Sequence, residues 1–290
     1  MKILFLGGDK RQIEIINHLN KKGYEIDVIG YTLAYLNKNI NKKTVDVIKI
    51  NEYDVIFFPI SGVKENYYIV SDFENEKIFL DPNFLKEVKS RALIFTGINT
   101  QCLDEMLLKT NKKTIALMED DQVKKENSIP TVEGIIGDLV YNTDQTINGS
   151  NIFVLGYGNV GTVLVDKLKC LGANITVGVL LFEEYQMVAK KGLNCIYTNN
   201  QSLMQKLVHN SDIIINTVPD LIINKEYLKV VNKDAYILDI SSHPHGVDFD
   251  SANELQIKNK LLLGIPGKVA PKTAGLILVN KIDSILERSK

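Results

Sequence analysis

Residues 151–179, NIFVLGYGNVGTVLVDKLKCLGANITVGV, decide the fold. Ile152 to Leu155 is a short apolar run that reads as a buried parallel strand. Gly156-Tyr157-Gly158-Asn159-Val160-Gly161 follows as G-x-G-x-x-G. Val160, Val163, Leu164, Leu168 and Leu171 then recur at helical spacing up to Gly172, and Asn174 to Val179 forms a second strand. This order gives the glycines their chemical meaning. The first makes the tight turn, the second lets backbone N–H groups approach a pyrophosphate, and the third lets helix pack on strand. The phosphates then meet a helix N-terminus. A dinucleotide site is expected at Gly156, Tyr157, Gly158, Asn159, Val160 and Gly161, the alternative being no more than a tight βα turn.

Sites for NAD carry Asp or Glu near the end of the second strand, and NADP sites an Arg nearby. Here Val179 and Leu180 stand at that position, and the first charges are Glu183 and Glu184, read as a solvated helix face. Nothing from Val177 to Phe182 repels a 2′-phosphate, and Leu180 supplies no charge to hold one. The two cofactors are therefore expected to bind within about tenfold of each other.

The chain of 290 residues suits two α/β domains. Its 34 basic and 35 acidic residues leave no electrostatic footprint for nucleic acid. No apolar run approaches the ~20 residues of a membrane span. The opening MKILFLGGDKRQ reads as a first strand and not a signal peptide. Cys102, Cys170 and Cys195 lack disulfide or zinc spacing, which suits a reducing cytoplasm, and Cys170 reads as a small core residue. Of basic residues only Arg11, Arg91 and Arg288 are arginines, so each merits inspection.

Residues 2–30 form a first βαβ unit whose turn, Gly7 to Gln12, lacks the G-x-G-x-x-G order. Arg11 is placed there at the carboxyl end of a parallel strand, where open α/β sheets bind ligands; a helix-surface role is the alternative. Further strands are expected at 55–58, 78–80, 93–96 and 114–117, with Ser61-Gly62 and Thr96-Gly97 as loops able to hold a carboxylate. Ser128 is expected to cap a helix with Pro130 in its first turn, continuing over 131–143 and placing Thr131 and Glu133 near its start. After the glycine motif, strands are expected at 194–197, 212–216, 235–240 and 261–263. Thr217, Val218 and Pro219 close one of them and Asp239 and Ser241 another, where the ribose and nicotinamide half rests. His243-Pro244-His245 and the Gly/Pro-rich segment 264–275 read as irregular loops, and a last helix over 276–286 returns to the first domain. The two histidines have no third ligand at metal spacing, so no metal is expected.

Together, Gly7-Gly8-Asp9-x-Arg11-Gln12, Pro130-Thr131-x-Glu133-Gly134, Gly156-x-Gly158-x-x-Gly161, Asn216-Thr217-x-Pro219 and Pro266-Gly267-x-Val269-Ala270-Pro271-x-Thr273-Ala274-Gly275 resemble the A subunit of bacterial dipicolinate synthase. The resemblance covers nearly the whole chain in order. It implies an NAD(P)-dependent oxidoreductase of the mother-cell cytoplasm in sporulation. That enzyme oxidises a dihydrodipicolinate-type product of the lysine pathway to pyridine-2,6-dicarboxylate, with a flavoprotein-like B subunit as its partner. It leans toward NADP over NAD. Members often carry Arg after the second cofactor-domain strand and before the proline, where this chain has Leu180 and His243. More distantly, the layout resembles 2-hydroxyacid dehydrogenases, whose two doubly wound parallel-sheet domains face across a cleft.

The expected organisation is thus an α/β, Rossmann-like substrate domain over 1–128, an NAD(P)-binding domain with its connector helix over 129–275, and 276–290 returning to the first. Removing a hydride and a proton from a dihydropyridine dicarboxylate leaves an aromatic ring. Holding the dianion against the nicotinamide is therefore the main task. Arg11, Ser61, Thr96 and Lys272 are the expected carboxylate contacts, with Gly62, Gly97 and Thr131 lining the same site; Glu133 or His243 accepts the proton. Another dehydrogenase of the 2-hydroxyacid type, or a non-catalytic dinucleotide sensor, remains open, as does self-association.

Overall fold

The computed structural model describes residues 1–288 except 76 and 109. The chain divides into two compact units, residues 1–127 with 270–290, and residues 128–269.

Unit 1 begins with β1 (Lys2–Leu6), α1 (Lys10–Lys21) and β2 (Glu25–Ile29). β3 (Asn41–Lys42), β4 (Val55–Phe57), β7 (Leu93–Thr96) and β8 (Thr114–Ala116) complete a parallel sheet of order β3-β2-β1-β4-β7-β8. Between them, β5 (Tyr68–Ile69) and β6 (Ile78–Phe79) pair antiparallel in a separate ribbon. The expected strand at 78–80 therefore exists, but outside the main sheet. α2 (Gln101–Leu107) joins β7 to β8. Strands of buried Ile, Phe and Val stack rings through the sheet: Phe5 lies 4.3 Å from Phe57, and Phe57 lies 4.7 Å from Phe95.

α3 (Asp121–Asn142) runs through the division at 127/128. It starts well before Ser128, because Asp120 Oδ1 accepts from the Gln122 and Val123 N–H groups at 3.1 Å each and so caps the first turn. Pro130 consequently lies inside the helix and Glu133 well past its first turn.

Unit 2 contains β9 (Asn151–Leu155), α4 (Asn159–Cys170), β10 (Asn174–Val179), α5 (Phe182–Lys190) and β11 (Asn194–Tyr197). There follow α6 (Gln201–Asn210), β12 (Ile213–Asn216), α7 (Lys225–Leu228), β13 (Tyr236–Asp239), α8 (Phe249–Glu254) and β14 (Lys258–Leu261). The sheet is parallel, in the order β11-β10-β9-β12-β13-β14. This is the doubly wound arrangement, with its reversal of strand order between β9 and β12. The last strand lies three residues before the apolar 261–263, because a sheet edge tolerates Lys258-Asn259-Lys260. Cys170 ends α4 exposed, correcting its placement in the core.

The Gly/Pro-rich segment is helical. α9 (Ile265–Val269) packs beneath Gly134, where a Cβ would meet Ile265 Cγ2 at 2.2 Å. α10 (Pro271–Arg288) lies against α1 and buries Ile277, Leu278, Ile282 and Leu286 beside Ile15, Ile16 and Leu19. Residues 270–275 thus belong to unit 1. Gly275 permits the approach: a Cβ there would stand 2.6 Å from the Arg11 carbonyl oxygen.

Candidate functional site

The β9–α4 loop divides its labour among three glycines. Gly156 turns at φ +93°, and a Cβ would sit 2.5 Å from Thr217 Oγ1. A Cβ on Gly161 would meet the Gly156 carbonyl oxygen at 2.3 Å, so this glycine seats helix on strand. Gly158, the N-cap of α4, faces open space with no atom within 4 Å of its Cβ position. Its side chain offers no cap, leaving the N–H groups of the first turn, including Asn159 and Val160, for an anion. Tyr157 contributes backbone alone, since its ring is buried in the core.

Thr217 locks this loop from β12: its Oγ1 donates to the Leu155 carbonyl at 2.8 Å. Val218 lines the adjoining cavity with Val179 and Leu180, while Pro219 is exposed beyond it. Asp239 and Ser241, expected beside the cofactor, are buried and serve the scaffold instead. Asp239 Oδ1 accepts from Asn216 Nδ2 at 2.9 Å and the Ser241 N–H at 2.8 Å, and Oδ2 from the Gly246 N–H at 2.7 Å. Three donors thus satisfy one buried carboxylate, which ties the loop after β13 to β12. Beyond it, His243 is exposed, and His245 places Nδ1 2.9 Å from the Ser241 carbonyl oxygen.

In unit 1, Arg11 is in the first turn of α1, nearly buried, and its guanidinium is committed to Asp9. Nε lies 3.1 and 3.0 Å from the two carboxylate oxygens, and Nη2 lies 2.6 Å from Oδ2. Asp9 also caps α1 through the Arg11 N–H at 2.9 Å. Thr96, buried, donates its hydroxyl to the Ile98 carbonyl at 2.9 Å and so closes its own loop. Gly97 is required by packing, since a Cβ would meet the Ile60 carbonyl oxygen at 2.1 Å; Gly62 turns at φ +69° against Thr100. Ser61 is partly exposed. Thr131 and Glu133 are set on α3, Glu133 exposed, and Lys272 is exposed in the first turn of α10. The structure brings the glycine loop, Thr217, Val218, Val179 and Leu180 together within unit 2. Of the expected carboxylate contacts of unit 1, it commits Arg11 and Thr96 to local partners and leaves Ser61 partly exposed and Lys272 exposed.

Sequence reasoning passed over Asp72 and Asp220 and read Glu184 as part of a solvated helix face, whereas it lines a cavity. Burial first, and then the carboxylate of Asp9, raise the Asp72 carboxyl above its ordinary value, while Lys10 and Arg11 pull it down. Glu184 and Asp220 line one cavity although 36 positions of sequence hide their proximity. Among the described residues no group of three His, Cys, Asp or Glu is placed to hold a metal, and no helix is long and apolar enough to cross a membrane.

Two parallel sheets of doubly wound order, one with an open glycine loop, define a two-unit α/β protein with a Rossmann domain of the NAD(P)-binding type. Residues 2–118 match the N-terminal domain of the dipicolinate synthase A subunit, and residues 146–283 match the NADPH-binding domain of acetohydroxy acid isomeroreductase. The dipicolinate synthase A subunit of Bacillus subtilis (strain 168) is 35% identical over 287 residues, covering 99% of this chain and 96% of the relative. The crystal structure of the dipicolinate synthase A subunit from Bacillus halodurans superposes with a TM-score of 0.93 at 33% identity, covering 98% of this chain and 97% of that one. A transhydrogenase from Sinorhizobium meliloti, at 14% identity and a TM-score of 0.67 over 99% of this chain and 93% of its own, shares the fold alone. The chain belongs to the family of dipicolinate synthase A subunits.

Proposed function

We propose that this protein is the NAD(P)-dependent oxidising subunit of a dipicolinate synthase. It acts on a dihydrodipicolinate-type product of the lysine pathway in the mother-cell cytoplasm of a sporulating bacterium, with a flavoprotein-like B subunit as its partner. The observation that carries this reading is the loop in which Gly156 and Gly161 are filled by neighbours while Gly158 alone is left open. That is the shape a pyrophosphate requires, and family membership supports the rest.

When bound, the nicotinamide supplies the hydride acceptor. The chain's own residues do the remainder. The first-turn N–H groups of α4 hold the pyrophosphate, and Thr217 keeps the loop in register. With Arg11 engaged by Asp9, Ser61 and Lys272 are the side chains of unit 1 left to receive the substrate carboxylates.

The test is reduced-nicotinamide formation by the purified chain on freshly generated dihydrodipicolinate, with and without the flavoprotein-like partner. Turnover in either condition supports the proposal. Cofactor binding without turnover in both would favour the dinucleotide-sensor reading, and absence of binding would remove both.

A further inference from the structure

A cavity of about 470 Å³ opens beside the glycine loop, wholly within unit 2. Its walls come from the ends of β10, β11 and β12, with Gly156, Val179 and Val218 on the loop side. Leu180, Leu221, Ile222 and Tyr227 give it an apolar lining, and Thr198 adds a hydroxyl. In a doubly wound sheet this is where the adenosine half of a dinucleotide lies. The charged groups in the lining are Glu184 and Asp220, and neither Lys, Arg nor His is present there.

We infer that this cavity selects NAD over NADP, and that the carboxylates of Glu184 and Asp220 exert the selection. The inference rests on the dinucleotide reading proposed above. A 2′-phosphate carries close to two negative charges and would enter beside two carboxylates. The same carboxylates can accept hydrogen bonds from free ribose hydroxyls, as the acidic residue of NAD sites does.

No basic side chain of the lining compensates for the repulsion. Residues 128–269 contain no arginine at all, whereas NADP sites rely on one. Lys191, just beyond α5, is held by Asp166 at 2.7 Å. The N-cap residue of α5, Leu181, makes no side-chain cap, so its first-turn N–H groups would otherwise attract an anion. Glu183 and Glu184 occupy that turn and offset its positive end. The negative field reaches the neighbouring strand: burial, and then Glu184, push the Cys195 thiol up to about 11. Near-equal affinities follow from the sequence only if both glutamates lie away from the cofactor, whereas Glu184 is partly buried in the lining of this cavity.

Calorimetric dissociation constants for NAD+ and NADP+ test this, at low and high salt, on wild type and on the double variant E184Q/D220N. Wild type should prefer NAD+ by about thirtyfold or more, equivalent to about 2 kcal/mol. Salt should narrow that preference by screening. In the double variant the preference should shrink at least about fivefold and lose its salt dependence. Equal or tighter NADP+ binding by wild type overturns the inference, and so does a preference that neither salt nor the double variant alters. If neither cofactor binds, the dinucleotide reading fails and takes this inference with it. The wild-type salt series decides the matter even should the double variant not fold.

Discussion

Arg11 illustrates how a local partner claims a side chain that looks available for substrate. Its guanidinium grips Asp9, and Asp9 caps the helix that carries Arg11, so fork and cap stand or fall together. Arg11→Lys keeps the charge and loses the planar fork. Thermal unfolding should show a loss of about 1–3 kcal/mol, a few degrees of melting temperature, with cofactor affinity unmoved. A fall in kcat/KM at unchanged melting temperature would instead put Arg11 on the substrate. A second prediction concerns the thiols. Cys195, raised to about 11, stays protonated through neutral pH, whereas Cys170 is exposed. Alkylation near neutral pH followed by peptide mass spectrometry should label Cys170 about tenfold faster or more. Comparable rates would contradict the burial seen at Cys195. At this scale the sequence was least informative. Asp239 sits at a strand end as ligand-binding residues do, and only its three donors, Asn216 from the neighbouring strand among them, reveal it as a scaffold residue.

Elements were more legible, because short apolar runs punctuated by Gly7, Gly23, Gly156 and Gly172 announce βαβ units without tertiary information. The errors arose where one residue type serves two roles. Pro130 is favoured in a first turn, yet it lies inside α3, whose polar opening turns hid the true start. Glycines in 264–275 suggested a loop, and in the fold Gly275 brings two helices together. Gly275→Ala tests that reading. Alanine improves helix propensity by about 1 kcal/mol, but its Cβ would meet the Arg11 carbonyl and Glu14 Cβ at 2.6 and 2.7 Å. Overpacking against backbone should win, with a net loss of about 1–2 kcal/mol by chemical denaturation. Gly158→Val is the converse case. Its φ of −76° suits any residue and no neighbour is near, so stability should hold while calorimetric NAD(P) binding disappears. The attachment of α10 should also respond to acid. Lys281, and then the Val123 N–H, hold the Asp120 carboxyl below its ordinary 3.8. Its contribution is therefore whole above about 3.8 and is lost as pH falls through the lower folded value. The melting difference between wild type and Asp120→Asn should accordingly hold down to about pH 4 and close only as pH falls further below about 3.8.

At the scale of the molecule, the two units differ in continuity: residues 128–269 are one segment, whereas unit 1 needs residues from both ends. Ending the chain at residue 269 would strip α10 from α1 and uncover Ile15, Ile16 and Leu19. Hydrogen exchange of the truncated protein should show β1 and α1 losing protection while β9 and α4 keep theirs. Uniform loss in both units would mean that they do not fold separately. The return of α10 also sets an order of events on the ribosome. Unit 2 is complete once Val269 has emerged, but the first-made strands must wait for a helix translated after all of it. At ~5–20 residues per second that wait is on the order of ten seconds. Through it the growing chain holds open an apolar face that only its own later synthesis can close. The segment made first is thus the last to mature, and nascent-chain chaperones would meet this protein at its N-terminal half.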